Sequence, residues 1–235
     1  MTQRQGVPIS VLDLSILREG ASSADALTQT TTLAQCADAC GYKRFWVAEH
    51  HNMPSVACTA PPVLIGHLAA LTSRINVGSG GVMLPNHAPL VVAEQFAMLE
   101  ALHPGRIDVG IGRAPGTDQR TAAAVRRSEG ALGAEDFPTD LFELMDLLGD
   151  RRFDTTIGDH FKATPAASSY PKIFLLGSSG YSAHLAAKLG LPFGFAHHFD
   201  MGGTFEAAEI YRSRFAPSHI LSEPYMIVTA NVLAA

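Results

Sequence analysis

The sequence predicts an α/β fold, a TIM-type (β/α)8 barrel with insertions. Three observations carry this reading. Short runs of β-branched and apolar residues alternate with helical stretches along the chain. Those runs are nearly continuous in apolar character, as expected of strands covered on both faces. No dinucleotide fingerprint opens any strand–turn–helix unit, which favours a barrel over an open Rossmann sheet.

Seven strand runs follow in order, over residues 9–14, 44–50 (RFWVAEH), 75–84 (INVGSGGVML), 106–113 (RIDVGIGR), 172–179 (KIFLLGSS), 192–199 (PFGFAHHF) and 225–233 (YMIVTANVL). Helices fill the intervals. Ser22 or Ser23 can cap the first, whose stripe is Ala26, Leu27, Thr30, Leu33, Ala34 and Ala37, with Gly41 closing it. Cys36 and Cys40 fall on this helix and read as buried small apolar residues. Pro61 and Pro62 suit the first turn of a second helix through Leu64, Leu68 and Leu71. Pro89 opens a third through Val92, Phe96 and Leu99, ended by the His103-Pro104-Gly105 turn. Later helices are expected over 136–148, 181–189 and 204–215.

Two stretches are irregular, 112–131 and 151–171. The first follows strand four, at the barrel end where long loops carry function. A closed barrel needs eight strands. The eighth is not visible in this chain, so strands one and seven are expected as unpaired edges.

Bulk properties narrow the function classes. With 235 residues, 47% of them hydrophobic, the chain can bury one large core and reads as a single domain, 1–235. Charged residues make up 17%, which suggests a surface that is small or partly covered by a partner. The net charge of −5 and the lack of a Lys/Arg cluster interleaved with aromatics argue against a nucleic-acid face. Three cysteines do not make a disulfide framework. The opening Met-Thr-Gln-Arg-Gln shows no apolar h-region or cleavage site, so no secretory leader is expected, and no apolar run reaches the roughly 20 residues of a membrane span. A soluble, cytoplasmic protein is expected.

The ends of the expected strands carry the chemistry: Glu49-His50-His51, Gly80-Gly81, Asn86-His87, Arg113, Gly177-Ser178-Ser179-Gly180 and His197-His198. Histidine moves protons near neutral pH, so five at strand ends suggest an acid/base pocket. Each alone also reads as a hydrogen-bonded filler. Side chains alternate along a strand, so His50 and His51 should diverge, one to the pocket and one to a neighbour. A metal is the rival use of Glu49 and its histidines, but no HxH or HExxH spacing appears and no metal site is assigned. The segment GSSGYSAHLAAKLG suits an anion: its glycines admit close approach, Ser178 and Ser179 offer hydroxyls, and a helix begins there. An ordinary Gly/Ser turn is the alternative. Arg113 is placed to add a cation. Glycines in strand three, at Gly78, Gly80 and Gly81, suggest a bulge, backbone strain or close approach of a flat ligand.

The string FWVAEHH, followed by INVGSGGVMLPNHAPLVVAEQFAMLEALHPGRIDVGIGRAPG, resembles the bacterial luciferase-like flavin-dependent monooxygenases. The likeness runs from Val11 to about Leu233. It implies that His50 is the catalytic histidine acting on a flavin C4a-peroxide. It implies that Gly80 and Gly81 form a bulge under the isoalloxazine ring, often with a non-prolyl cis peptide. Arg113 and the turn Gly177, Ser178, Ser179, Gly180 and Tyr181 would hold the phosphate. The family also implies a homodimer through the helices after strands two and three. Where luciferase has a reactive cysteine on strand four this chain has Gly112, and its phosphate turn begins with Gly177 where luciferase has an acidic residue. Light emission is therefore not implied. APGTDQ and FKATPA look most like a branch that includes a polyketide-tailoring monooxygenase of mensacarcin biosynthesis.

The resulting expectation is a two-component monooxygenase. It would use reduced FMN from a separate flavin reductase, together with O2, on an organic small molecule, with polyketides one candidate class. The alternatives are a deazaflavin (F420)-dependent oxidoreductase on the same fold and a non-catalytic flavin-binding protein.

Overall fold

The computed structural model describes residues 6–114, 116–126, 136–153, 155–199 and 202–232. Seven parallel strands form one sheet in sequence order: β1 (Val11–Asp13), β2 (Arg44–Val47), β3 (Asn76–Met83), β4 (Ile107–Gly112), β5 (Lys172–Gly177), β6 (Phe193–Phe195) and β7 (Met226–Val228). The sheet is curled, because Leu12 of β1 and Ile227 of β7 line the same cavity although they sit at opposite edges. Among the described residues no eighth strand joins them, as expected.

Helices α1 (Ser23–Ala39), α2 (Pro61–Ala70), α3 (Pro89–Leu102), α5 (Phe137–Leu147), α7 (Gly180–Leu189) and α8 (Thr204–Ser213) match the expected ones. Two more were missed: α4 (Gln119–Arg126) inside the 112–131 stretch and short α6 (Thr156–His160) inside 151–171. The far part of the first stretch, and Leu233, lie outside the described residues.

Local signals explain the helix starts. Ser22 caps α1 in a capping box with Asp25, each side chain bonding the other's backbone amide. Prolines occupy the first turns of α2 and α3, where no amide is needed. Gly190 ends α7 in a left-handed conformation with φ 59°.

Two burial expectations fail. Cys36 and Cys40 are exposed, because α1 buries the line Ala26–Thr30–Ala34–Ala37 and both cysteines lie off it. Leu33 and Leu71 are also substantially exposed; Leu33 is off the same line and Leu71 caps the end of α2.

The barrel's lower end is plugged. Arg44 pairs with Asp108 at 3.0 Å, and Trp46 Nε1 donates to the same carboxylate at 3.0 Å. The Arg44 guanidinium lies over Phe174 and Tyr225. Burial pushes the Asp108 carboxyl up, opposed by the Arg44 charge and the Trp46 bond. Trp46 is the floor of the cavity above.

Candidate active site

The cavity opens at the C-terminal strand ends and measures about 1030 Å³ with its mouth included. One wall is β3. Its pairing with β4 runs Gly80↔Gly110, then skips to Val82↔Ile111, so Gly81 is the extra residue of a bulge. The Gly80–Gly81 peptide is cis. A Cβ on Gly80 would lie 2.8 Å from Leu12 Cδ1, and one on Gly81 would lie 2.7 Å from the Gly110 carbonyl oxygen. Side chains are thus excluded here, and the wall presents backbone to the cavity. Ser79 secures the ladder just below, donating to the Gly110 carbonyl and accepting from the Gly110 amide.

His50 stands on the neighbouring wall. The chain leaves β2 after Val47, and the His50 amide donates to the Cys58 carbonyl at 3.2 Å. The imidazole lines the cavity and its Nδ1 is buried without a hydrogen bond. Burial lowers its pKa, opposed by the nearby Ala48 carbonyl and the Glu49 charge. The neutral imidazole is therefore favoured near pH 7.

The five histidines do not form one pocket. His50 and His198 line the cavity. His198 Nδ1 lies 2.8 Å from Thr229 Oγ1, and burial, then His197, lowers its pKa. His197 instead meets Thr204 at 2.7 Å. His51 and His87 both turn to buried Glu49, their Nε2 atoms 2.8 and 2.9 Å from its Oε1. The divergence expected of His50 and His51 is thus seen. Glu49, His51 and His87 could in principle share an ion, their ligand atoms lying within 4.8 Å of one another. As they stand, the contacts are hydrogen bonds.

Of the residues expected to hold an anion, some meet at the cavity and some do not. Arg113, Gly177, Ser178 and Ser179 line the cavity where α7 begins. Ser179 is the N-cap of α7, and its side chain makes no capping bond. Tyr181 and Gly180 do not line the cavity; the Tyr181 ring instead lies under the Arg113 guanidinium at 4.4 Å. Several lining residues escaped the sequence reading, among them Ser182, Met83, Phe199 and Thr229. Ser182 had a signal, since the first-turn positions of a Gly/Ser-led helix face whatever the turn faces. A side chain on Gly177 would collide with the Ser182 hydroxyl, so that glycine makes room for it.

A curled parallel sheet whose C-terminal strand ends enclose a cavity, with a bare-backbone wall, a histidine and an arginine among its lining, is the arrangement of a TIM-barrel-type enzyme. The chain belongs to the luciferase-like monooxygenase family, whose model matches residues 8–235. It is 49% identical over 229 residues to a luciferase-like monooxygenase of Escherichia coli, covering 97% of this chain and 67% of that protein. It is 47% identical over 191 residues to an N-acetyl-S-alkylcysteine monooxygenase of Bacillus subtilis, covering 81% of this chain and 57% of that protein. Among solved structures, apo-MsnO8 superposes with a TM-score of 0.88 at 41% identity, covering 95% of this chain and 65% of that one. More remote structures share the fold alone. They include the oxygenating component of 3,6-diketocamphane monooxygenase from Pseudomonas putida in complex with FMN, at TM-score 0.71 and 18% identity, covering 89% of this chain and 63% of that one. An F420-dependent secondary alcohol dehydrogenase superposes at 0.62 and 19% identity, covering 90% and 67%. The chain spans roughly two thirds of the length of the Escherichia coli protein and of MsnO8.

Among the described residues no helix is long and apolar enough to cross a membrane.

Proposed function

We propose that the protein is the oxygenating component of a two-component, cytoplasmic flavin monooxygenase. It takes reduced FMN from a separate reductase and oxygenates an organic small molecule. The observation that carries this reading is the placement of three features around one cavity: the glycine bulge, the His50 imidazole, and Arg113 beside the start of α7. A flat ring fits against a wall without side chains. A phosphate fits between a guanidinium and free helix amides. Gly80 and Gly81 would support the ring, while Arg113, Ser178, Ser179 and the amides following them would take the phosphate. Gly177 makes room for Ser182, and Tyr181 steadies Arg113 from behind.

Reduced flavin supplies two electrons to O2, so that one oxygen atom enters the substrate and the other leaves as water. The protein's part is to orient, shield and manage protons. His50 can accept or return a proton through Nε2, since its Nδ1 is sealed away. Trp46, Leu12 and Leu176 give the cavity apolar surface and help to exclude water.

The test supplies photoreduced FMN to the anaerobic protein, then air and candidate substrates. N-acetyl-S-alkylcysteines and aromatic polyketides are the first two classes to try. Incorporation of ¹⁸O from O2 into product supports the reading. Turnover with reduced F420 and none with reduced FMN would instead support the deazaflavin alternative. Tight flavin binding with no turnover of any substrate would favour a binding protein.

The reading includes a homodimer. Helices α2 and α3 bury Leu64, Leu68, Val92, Phe96 and Leu99, yet Val63, Val91, Met98 and Leu102 are 76, 48, 53 and 65% exposed on the other side. Helices apolar on two faces need a second cover. A dimer burying more than about 1,000 Å² is expected. Light scattering should give twice the chain mass; a monomer at every concentration would reject the dimer.

A further inference from the structure

Glu49 is 1% exposed and sits directly before His50, but it does not line the cavity. Its contacts tie together the two walls that the proposed flavin would touch. Its amide donates to the Gly81 carbonyl at 3.2 Å, and its Oε2 accepts from the Met83 amide at 3.0 Å, so it grips β3 on both sides of Val82. Its Oε1 accepts from His51 and His87, and from Asn86 Nδ2 at 3.3 Å. The loop after β4 joins the same cluster, where Thr117 Oγ1 donates to the His51 carbonyl at 3.0 Å.

Carboxylate oxygens accept and do not donate when ionised, so both imidazoles present N–H at Nε2 and Glu49 is the anion they surround. A bound metal would instead need those nitrogens to present free lone pairs, so the two uses of the cluster exclude one another. The ionisable groups around the carboxylate are His50, His51 and His87, with Cys58 and Asp13 beyond. Burial pushes the Glu49 carboxyl up. His87, the Met83 amide and His51 outweigh that and hold it below the ordinary range. Burial, with Asp13 and Glu49, pushes the Cys58 thiol up to about 12, so Cys58 is neutral.

We propose that Glu49 is a positioning residue: ionised and held by His51 and His87, its carboxylate locks the β3 bulge to the His50 segment. The spacing between the ring-supporting wall and the imidazole is thereby set before any ligand arrives. This rests on the flavin reading above, and deepens it.

The test uses Glu49→Gln, which keeps size but not charge, with His87→Gln, which keeps a neutral donor, and His87→Leu, which keeps none. Circular dichroism and thermal melting establish that each folds. The first readout needs no flavin. The His50 resonance, assigned by its loss in His50→Gln, is titrated by NMR. Its midpoint should fall in Glu49→Gln, because the anion that raises it is gone. The second readout is FMN affinity by fluorescence quenching. Glu49→Gln and His87→Leu should each bind about tenfold more weakly, the cost of one lost charge-assisted bond, while His87→Gln stays near wild type.

A folded Glu49→Gln protein with unchanged His50 midpoint and FMN affinity overturns the proposal. So does a wild-type affinity that EDTA abolishes and Zn²⁺ restores, since the cluster would then be a metal site. If wild type binds no FMN, the flavin reading fails, and the His50 titration still decides whether Glu49 controls that imidazole.

Discussion

His50→Ala is expected to slow substrate oxygenation by roughly 10²–10⁴-fold, the usual range for loss of a general acid/base. The fold should survive, because the imidazole packs only part of its surface and lies at the edge of a solvent-open cavity. FMN binding should change little, since the phosphate end is assigned to Arg113 and the α7 turn and not to His50. Burial lowers the His50 pKa, so the neutral form dominates at pH 7 and above. If the reaction needs this neutral base, kcat/KM should be full on the alkaline side and fall as pH drops through the lowered pKa. In His50→Ala that acid limb should vanish with the rate. Stopped-flow turnover across pH, with product measured directly, checks both points. Turnover close to wild type in the variant would remove His50 from the chemistry and leave it as a wall.

Arg113→Ala should weaken FMN binding by about 10- to 100-fold, as expected for a charge-assisted bond to a phosphate. Riboflavin, which has no phosphate, should bind wild type and variant nearly alike. The comparison separates reading of the phosphate from general damage to the cavity. Arg113 is stacked over Tyr181, so its guanidinium is already held near the α7 start before a ligand arrives. Tyr181→Leu should therefore reproduce part of the same selective loss. Equal losses for FMN and riboflavin in Arg113→Ala would show that Arg113 shapes the site without reading the phosphate.

The barrel was legible because its signals are local. Continuous apolar runs such as RIDVGIGR can be satisfied only by strands covered on both sides, and β4 is buried at every position. Caps and prolines announced α1, α2 and α3 where they occur. The short helices α4 and α6 were missed because they span only 8 and 5 residues and bury little, Ala122 in one and Gly158 in the other, too short a window for a period to stand out. The exposed Cys36 and Cys40 were misjudged for a related reason. A helix with many small residues offers several candidate stripes, and only the neighbours decide which one is buried.

The site divides along the same line. The bulge at Gly80 and Gly81, the His50 and His51 divergence, and the turn that opens α7 were all readable, because each follows from a few consecutive residues and their backbone preferences. What the sequence could not show was which distant segments meet. His87 is 36 residues from His51, yet both close on one oxygen of Glu49. His197 and His198 are adjacent, yet one turns to Thr204 while the other faces the cavity with Thr229. Such meetings depend on how β2, β3, β6 and β7 are brought side by side and rotated by the curl of the sheet. Local patterning determines what each strand end carries; the packing of the whole barrel decides which side chains share a cavity and which are spent holding it in shape.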